Sequence, residues 1–265
     1  MRPGAGKIAG VKDERAAELI WDAWRTGERL DGLPADVRPL DEREGMAIQD
    51  RLAALAGPVF GWKIAATTAY AQQYLGVPGP LPGALFERFR HAEGDAVPAD
   101  TMTMGVAEPE FAFRMKAGPG PEPTLDAVLD AVDTMVLAME MPDSRYTDHR
   151  NAGGPQLVAD TACGGRWVEG SAVPGWRELD LAEHPVILYA EGAEFARGSG
   201  GAVLGDPRLA LHWLASELGR YGHALRPGDV VTTGTATTPA PIRAGGVVVA
   251  DFGSLGSVEV RFKDS

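Results

Sequence analysis

The spacing of apolar residues changes along the chain, from a helical period near the N-terminus to short strand-like runs after it. Apolar residues recur every three or four positions in 13–29 and 41–57, which predicts two amphipathic helices. The rest of the chain has short apolar runs bounded by glycine and proline, which predict mostly strands. We therefore expect an α+β fold, in which a helical N-terminal cover (about 13–57) packs over a strand-rich core (about 58–265) in a single catalytic domain of residues 1–265.

Local signals mark several element boundaries. Residues 1–12 contain glycine and lysine and are expected to be loose. Asp41 followed by Glu44 predicts a capping box at the start of the second helix. The run Pro78–Gly83 predicts a loop that could act as a lid, because it is rich in glycine and proline. Asp206 predicts the start of a later amphipathic helix.

An acidic strand is the first candidate for chemistry. In an extended segment alternate residues share a face, so Glu108 and Glu110 should project together while Phe111 and Phe113 point into the core. A third acid, Glu140, ends an apolar run of strand length. Three carboxylate ligands suit a hard divalent ion such as Mg²⁺ or Mn²⁺. The alternative is an exposed edge strand with two solvated acids, because the proline between them cannot donate to a sheet ladder.

A lysine interrupts another apolar run. Val59–Ala65 predicts a buried strand that contains Lys63. A buried lysine must be paired with an anion, or its pKa must fall towards neutrality. The alternative is a lysine at a strand edge whose amine reaches solvent.

Composition narrows the classes of function. The net charge of −12 and the pI near 4.9 argue against nucleic acid and anionic membrane as partners, since both select basic surfaces. The single cysteine, Cys163, cannot form an intramolecular disulfide or a cysteine metal cluster, and no apolar segment opens the chain. We therefore expect a cytoplasmic protein without a membrane span.

Other catalytic signatures are missing from the sequence. It contains neither the G-x-S-x-G elbow of serine hydrolases nor the H-E-x-x-H zinc motif, and it has no complete phosphate loop. The five histidines show no ligand spacing, although His149 follows the polar cluster Asp143–Arg145 and is a candidate to line a site.

Several short motifs follow one another in a fixed order from about residue 13 to residue 262. They are Gly61-Trp62-Lys63-Ile64, Glu108-Pro109-Glu110, Glu140-Met141-Pro142-Asp143-Ser144-Arg145, Ala159-Asp160, Thr233-Gly234-Thr235 and Gly253-Ser254-Leu255-Gly256-Ser257-Val258. Together they resemble the 2-keto-4-pentenoate hydratase branch of the fumarylacetoacetate hydrolase superfamily. The two acidic motifs are the specific part of this resemblance.

The resemblance implies a mixed β-roll core and a Mg²⁺ or Mn²⁺ site with Glu108, Glu110 and Glu140 as ligands. It implies that Lys63 is the acid/base or faces the substrate carboxylate, with a pKa lowered by the metal. Members of the branch act on 2-hydroxy-2,4-dienoates or their 2-oxo tautomers. The leading hypothesis is therefore a metal-dependent hydratase of aromatic catabolism that forms a homo-oligomer and has a small 2-oxo acid as its substrate.

Further residues have weaker assignments. Asp143 and Arg145 are catalytic candidates, expected to pair with each other and to orient Glu140. Thr235 matches a position that holds substrate carboxylate, but a threonine after a strand can also be a backbone cap. His149 is a second substrate-binding candidate, and Asp160 is expected to support a short helix.

One position departs from the family pattern. Hydratases of this branch carry an aspartate in a Q-P-D-[FY]-G-like segment, where this chain has Leu81. Glu87, Asp160 and His149 are the candidate replacements for that acid. The alternatives to a hydratase are a decarboxylase, a C–C hydrolase, or a non-catalytic 2-oxo-acid-binding partner subunit. The lack of a histidine before His91 weighs against hydrolysis.

Overall fold

The protein is described by a computed structural model that covers residues 5–264, with side chains from residue 10 onward. This range forms six α-helices: α1 Ala5–Thr26, α2 Glu42–Ala56, α3 Ala69–Leu75, α4 Leu125–Asp130, α5 Gly154–Ala159 and α6 Pro207–Gly219. It also forms thirteen strands: β1 Val59–Ala65, β2 Leu81–Phe86, β3 Arg90–Ala92, β4 Ala96–Val97, β5 Val106–Met115, β6 Val132–Met141, β7 Arg166–Val173, β8 Pro185–Ala190, β9 Ala193–Ser199, β10 Val230–Thr235, β11 Ala240–Pro241, β12 Val247–Asp251 and β13 Ser257–Phe262.

The helix starts follow the capping signals, with one correction at the N-terminus. The Asp41 carboxylate accepts from the Glu44 N–H at 2.9 Å, whereas the Glu44 carboxylate accepts from Leu40 N–H rather than closing the box onto Asp41. The expectation of a loose N-terminus is wrong for residues 5–12, which belong to α1, and for residues 1–4 it lies outside the described residues.

The predicted loop Pro78–Gly83 is also corrected. Strand β2 begins at Leu81 and takes in Pro82 and Gly83, so only the first half of this run is a turn. Proline is tolerated here because β2 is an edge strand, where a missing N–H need not break a ladder. The run therefore does not form a lid.

Two mixed sheets carry the strands. The larger sheet has the order β2-β1-β10-β5-β6-β7-β3, with β11 paired to β5. Its β1–β10 and β3–β7 pairs are parallel and the others are antiparallel. The smaller sheet has the order β4-β13-β12-β8-β9. Most strand pairs in both sheets are antiparallel, and the helices pack against the sheets, which confirms the predicted α+β class.

The sheets and helices bury one large apolar core. Helix α2 packs on both α1 and α5, and α2 and α5 pack on β2. Helix α6 packs on β10 and β5, and β13 joins the two sheets through β6 and β7. Phe111 and Phe113 of β5 are fully buried in that core, as the alternation along the acidic strand predicts. The two acids of the strand therefore point to the opposite face of the sheet. Among the described helices, none has the length and apolarity needed to cross a membrane.

Candidate metal centre and adjoining cavity

Strand register brings the three predicted acids together. Glu108 of β5 lies directly opposite Glu140 of β6, and Glu110 lies one pair further along the same face, opposite Ala138. Each glutamate offers a carboxylate oxygen, and these oxygens all lie within 4.8 Å of one another. The sequence indicated the same three residues, Glu108 and Glu110 because alternate residues of a strand share a face, and Glu140 because it ends an apolar run of strand length.

Several oxygens in this cluster are buried without a hydrogen-bond donor. Glu110 is 1% exposed and Glu140 is 0% exposed. Glu110 Oε1 and Glu140 Oε2 accept no hydrogen bond, and Glu140 Oε1 meets only the Lys63 ammonium, at 2.9 Å. Buried carboxylate oxygens without donors cost free energy unless a cation neutralises them. A hard divalent cation, which prefers oxygen ligands, fits this donor set.

The other oxygen of Glu110 is held by strand β10. Glu110 Oε2 accepts from the Thr232 hydroxyl and, at 2.8 Å, from the Gly234 N–H. Gly234 has a φ of +105°, and a side chain there would overlap the Thr67 hydroxyl. Only glycine fits this position easily, which gives a physical reason for the Thr233-Gly234-Thr235 motif. Thr232 was missed from the sequence, because its partner lies 122 residues away.

Burial and mutual repulsion disfavour charge on these acids. Burial is the largest effect and, together with the neighbouring Glu140, it raises the pKa of Glu108 to about 7. The same causes, with Glu108 added, raise the pKa of Glu110 well above its usual range. A bound cation would reverse this tendency, because a nearby positive charge stabilises the carboxylate form.

Lys63 of β1 faces the acidic cluster. Its Nζ atom lies 2.9 Å from Glu140 Oε1, and both side chains are almost completely buried. Burial lowers the pKa of Lys63, but Glu140, Glu108 and Glu110 outweigh it, so the net pKa lies above the usual lysine value. This direction is opposite to the lowered pKa expected for a lysine beside a metal, because here only anions surround the amine. The sequence predicted a buried lysine paired with an anion, and the structure agrees. The alternative, a lysine at a strand edge whose amine reaches solvent, is excluded by its burial.

A cavity of about 670 Å³ opens above the cluster. Lys63 and Glu108 line its inner end, together with Cys163 and Thr235. Burial, followed by the charge of Asp160, raises the pKa of the Cys163 thiol to about 12, so this thiol is neutral near pH 7. The cavity is within the size range of small-molecule sites.

Asp143 and Arg145 do not pair with each other, which corrects the expected turn ion pair. Asp143 Oδ2 accepts from Arg29 Nη2 at 2.8 Å, and Asp143 Oδ1 accepts from the N–H groups of Thr103 and Met104. Asp143 therefore anchors the segment before β5. Its partner Arg29 is 114 residues away, so no local pattern could reveal it.

Arg145 pairs instead with Asp160. Its Nε donates to Asp160 Oδ1, while Nη2 donates to the Asp160 carbonyl at 2.8 Å and Nη1 to the Gly164 carbonyl at 2.7 Å. Both side chains are 0% exposed, and the guanidinium lies 3.8 Å from the centre of the Trp24 ring. Asp160 caps the end of α5, but its side chain serves this ion pair rather than the helix alone.

The turn between Asp160 and Gly164 is a strained part of the cavity wall. Thr161, Ala162 and Cys163 all have positive φ, from 51° to 61°, which non-glycine residues seldom adopt. Ala162 and Cys163 line the cavity beside Lys63. The Arg145–Asp160 pair and the hydrogen bond from Asp143 N–H to the Cys163 carbonyl hold the turn at both ends.

Thr235 and His149, the substrate-binding candidates predicted besides Lys63, also line the cavity. The Thr235 hydroxyl donates to the Thr237 carbonyl at 2.9 Å, as expected of a threonine that caps a strand end. His149 Nε2 lies 3.4 Å from the Tyr74 hydroxyl. Burial, then the neighbouring Arg150, lowers the pKa of His149.

Leu81 is buried away from the cavity. It is 1% exposed, and its Cδ2 atom lies near Gly154 at the start of α5. Of the candidate replacements for the family acid, Glu87 is exposed and Asp160 is bound to Arg145, while His149 lines the cavity.

Comparison with known proteins agrees with this geometry. The family model for the fumarylacetoacetate hydrolase C-terminal domain matches residues 90–263. The chain belongs to the fumarylacetoacetate hydrolase family. Within this family it is 32% identical to a 2-keto-4-pentenoate hydratase of Paraburkholderia xenovorans over 95% of both chains. It is also 30% identical to a 4-oxalocrotonate decarboxylase of a Pseudomonas strain over 81% of both chains. The predicted resemblance to the 2-keto-4-pentenoate hydratase branch is therefore confirmed.

A solved structure shows the same fold throughout the chain. The 4-oxalocrotonate decarboxylase of Pseudomonas putida G7, complexed with magnesium and adipate, aligns with a TM-score of 0.86 and 27% identity, covering 94% of this chain and 97% of that one. This family likeness, together with the unpartnered carboxylate oxygens, supports a divalent metal at Glu108, Glu110 and Glu140.

Proposed function

We propose that this chain is a divalent-metal-dependent lyase acting on a 2-oxo acid or its 2-hydroxy-2,4-dienoate tautomer, with hydratase-type addition of water as its reaction. The observation that carries the proposal is the buried cluster of three carboxylates beside Lys63 at the inner end of a cavity. The hydratase relatives, which match nearly the whole chain, support the same class of reaction.

Glu108, Glu110 and Glu140 would hold the cation, and Mg²⁺ or Mn²⁺ suits their oxygen atoms. When bound, such a cation acts as a Lewis acid that polarises the 2-oxo group. In the hydration of a 2-hydroxy-2,4-pentadienoate, C5 gains a proton, C4 gains the hydroxyl group of water, and the enol proton is replaced by one at C3. One water molecule is thus added overall.

Lys63 is the proposed proton carrier. Its Nζ atom lies 2.9 Å from Glu140 Oε1, beside the acidic cluster, where an ammonium group could donate a proton to the dienoate. Its position at the inner end of the cavity lets it also face the substrate carboxylate.

Four further residues have proposed supporting roles. Thr235 and His149 line the cavity and would contact the substrate. Asp143 and Arg145 were proposed from the sequence as catalytic, and we now propose that they act by positioning. They hold the turn that carries Cys163, which forms the cavity wall beside Lys63.

Other properties are proposed from the family alone. We propose a single catalytic domain, a homo-oligomer, a cytoplasmic location and a role in aromatic catabolism. A decarboxylase or hydratase partner subunit is also proposed, since relatives of both kinds match this chain.

Glu110→Gln should abolish metal binding while leaving the fold intact. Losing one of three mutually repelling carboxylates relieves charge repulsion in the metal-free protein, so its melting temperature should stay the same or rise. The measurement is a thermal shift titration with Mg²⁺, with and without oxalate, which mimics a chelating 2-oxo acid enolate. At a ligand concentration of 100 times Kd, binding to the native state raises the free energy of unfolding by about 2.7 kcal/mol. The variant should lose this increase.

Glu18→Gln is the matched control, because Glu18 is exposed on α1 and the substitution is the same. The control should shift like the wild type. An undiminished shift with Mg²⁺ in Glu110→Gln would show that the three acids are not the ligands.

Decarboxylation is the second candidate function. Leu81 replaces the acid expected of hydratases in this branch, and 4-oxalocrotonate decarboxylases are among the relatives. Loss of a carboxyl group from a 2-oxo-3-enedioate leaves its electron pair on the conjugated 2-oxo system, so the same inner end of the cavity could serve this reaction.

Product analysis distinguishes the candidates. The protein with Mg²⁺ should convert 2-hydroxy-2,4-pentadienoate to 4-hydroxy-2-oxopentanoate, detected by NMR. Release of CO₂ from a 2-oxo-3-enedioate without hydration of the dienoate would replace the hydratase proposal with the decarboxylase. A shift with Mg²⁺ and oxalate but no turnover of either substrate would indicate a non-catalytic partner subunit.

A further inference from the structure

The cavity is also lined by a second polar group, on α3 and on the segment after Asp148. We call the side chains of Tyr74, His149 and Arg150 the outer wall. All three line the cavity, and Arg150 is exposed, whereas Lys63 at the inner end is 3% exposed. The cavity thus runs from a buried acidic cluster to a solvent-facing cation.

Arg150 is held in place by an aromatic ring. Its Cζ atom lies 4.8 Å from the centre of the Tyr74 ring, and the Tyr74 hydroxyl lies 3.4 Å from His149 Nε2. Tyr74 in turn stacks on Tyr70, with 6.1 Å between ring centres. A guanidinium placed over an aromatic face keeps the N–H groups at its edge free to donate.

Arg150 also lacks a counter-charge. Among residues 10–264, it forms no ion pair with an acid, and the nearby Asp148 carboxylate accepts from Asn151 at 2.7 Å. The second arginine that lines the cavity, Arg197, differs because both its Nε and its Nη2 bind Glu194 at 2.5 Å. In a protein with a net charge of −12, an unpaired arginine at a cavity mouth is a local attraction for anions.

We propose that Arg150, supported by Tyr74 and His149, forms a second anion subsite, and that the preferred substrate is a 2-oxo acid with another carboxylate at its far end. This inference rests on the proposed function, which puts the 2-oxo acid group at the inner end of the cavity. A guanidinium can bind a carboxylate through two parallel N–H···O bonds, which gives direction as well as charge.

The subsite would select between substrates of equal length. A 2-oxo monoacid leaves an apolar tail against the arginine, whereas a 2-oxo diacid supplies the missing counter-charge. The selectivity therefore depends on Arg150 and not on the metal ligands. Hydration and decarboxylation of a diacid are both compatible with this subsite.

The test measures binding, so it does not require turnover. Calorimetric titrations in saturating Mg²⁺ compare 2-oxoadipate with 2-oxohexanoate, which have the same chain length and differ in the far carboxylate. Five- and seven-carbon pairs show which length reaches the outer wall. The wild type should bind the best diacid about tenfold more tightly than its matched monoacid, the scale of a charge-assisted hydrogen bond.

Variants assign the effect to one residue. Arg150→Met should remove the preference for the diacid while leaving monoacid binding unchanged, and Arg150→Lys should restore only part of it, because lysine cannot bind through two parallel bonds. Arg15→Met, which removes an exposed charge of α1 outside the cavity, is the control for net charge and should bind like the wild type.

Failure of the anion subsite and failure of the proposed function would give different results. Equal binding of diacid and monoacid by the wild type, or a preference that Arg197→Met abolishes and Arg150→Met does not, would overturn the subsite. Failure of every 2-oxo acid and of oxalate to bind would overturn the proposed function itself.

Discussion

Lys63 shows how much one buried residue depends on its neighbours. It is 3% exposed, and its amine meets Glu140 at 2.9 Å among carboxylates rather than water. When all four groups are ionised, three carboxylates and one ammonium group leave the cluster with a net negative charge. A divalent cation can neutralise this charge. The lysine thus provides one positive charge, which does not complete the charge balance.

Lys63→Met should spare metal binding and reduce turnover by roughly 100-fold or more, the scale of lost acid/base catalysis. Methionine keeps an unbranched side chain, one heavy atom shorter, but it has no amine to carry the proton. Steady-state kinetics and the Mg²⁺ shift are measured together on the purified variant. The shift should grow, because without the ammonium group the metal-free protein loses its own counter-charge.

Lys116→Met is the matched control, since Lys116 is exposed after β5. Turnover of Lys63→Met at the level of this control would show that the lysine is structural.

Single residues were predictable where the pattern is local. Glu108 and Glu110 follow from alternation along one strand, and Glu140 and Lys63 each follow from a charged residue in an apolar run. The bond from Thr232 to Glu110 and the pair of Arg29 with Asp143 join residues more than 100 positions apart, so only the folded chain reveals them.

At the scale of an element, strand β2 shows that a segment rich in glycine and proline can still form a strand. Glycine and proline predicted a loop, but Gly83 is in the ladder, paired with Lys63. A side chain at Gly83 would overlap the carbonyl oxygen of Thr161 and come within 3.1 Å of Lys63 Cγ. The glycine is therefore a close-packing residue that brings β1, β2 and the strained turn together, rather than a turn residue.

Gly83→Ala should lower both stability and turnover, because the added methyl group must push aside either the backbone of the turn or Lys63. Overpacking of this kind costs about 1–3 kcal/mol, and a shift of a catalytic group by about 1 Å can reduce the rate by about 100-fold. Thermal unfolding and kcat are the measurements.

Gly79→Ala makes the same chemical change where nothing lies within 4 Å of the added carbon. This variant should behave like the wild type. If the two alanine variants have equal kcat, the close packing at Gly83 does not position the site.

At the scale of the molecule, the α+β class was predictable, because two helical periods open the chain and short strand-like runs dominate the rest. The order of the strands within each sheet was not predictable from the sequence. The central neighbours β1, β10 and β5 are remote in sequence, and a parallel pair such as β1–β10 leaves no hairpin signal.

That sheet order also has a consequence for biosynthesis. Strand β10, which donates two hydrogen bonds to Glu110, inserts between β1 and β5, although it is translated long after both. Until it emerges from the ribosome, β1 and β5 each lack a neighbour on one edge, and unpaired strand edges promote aggregation. The nascent chain already carries Lys63 and all three glutamates, yet it cannot complete their geometry. The proposed metal centre can therefore be completed only after β10 has been synthesised.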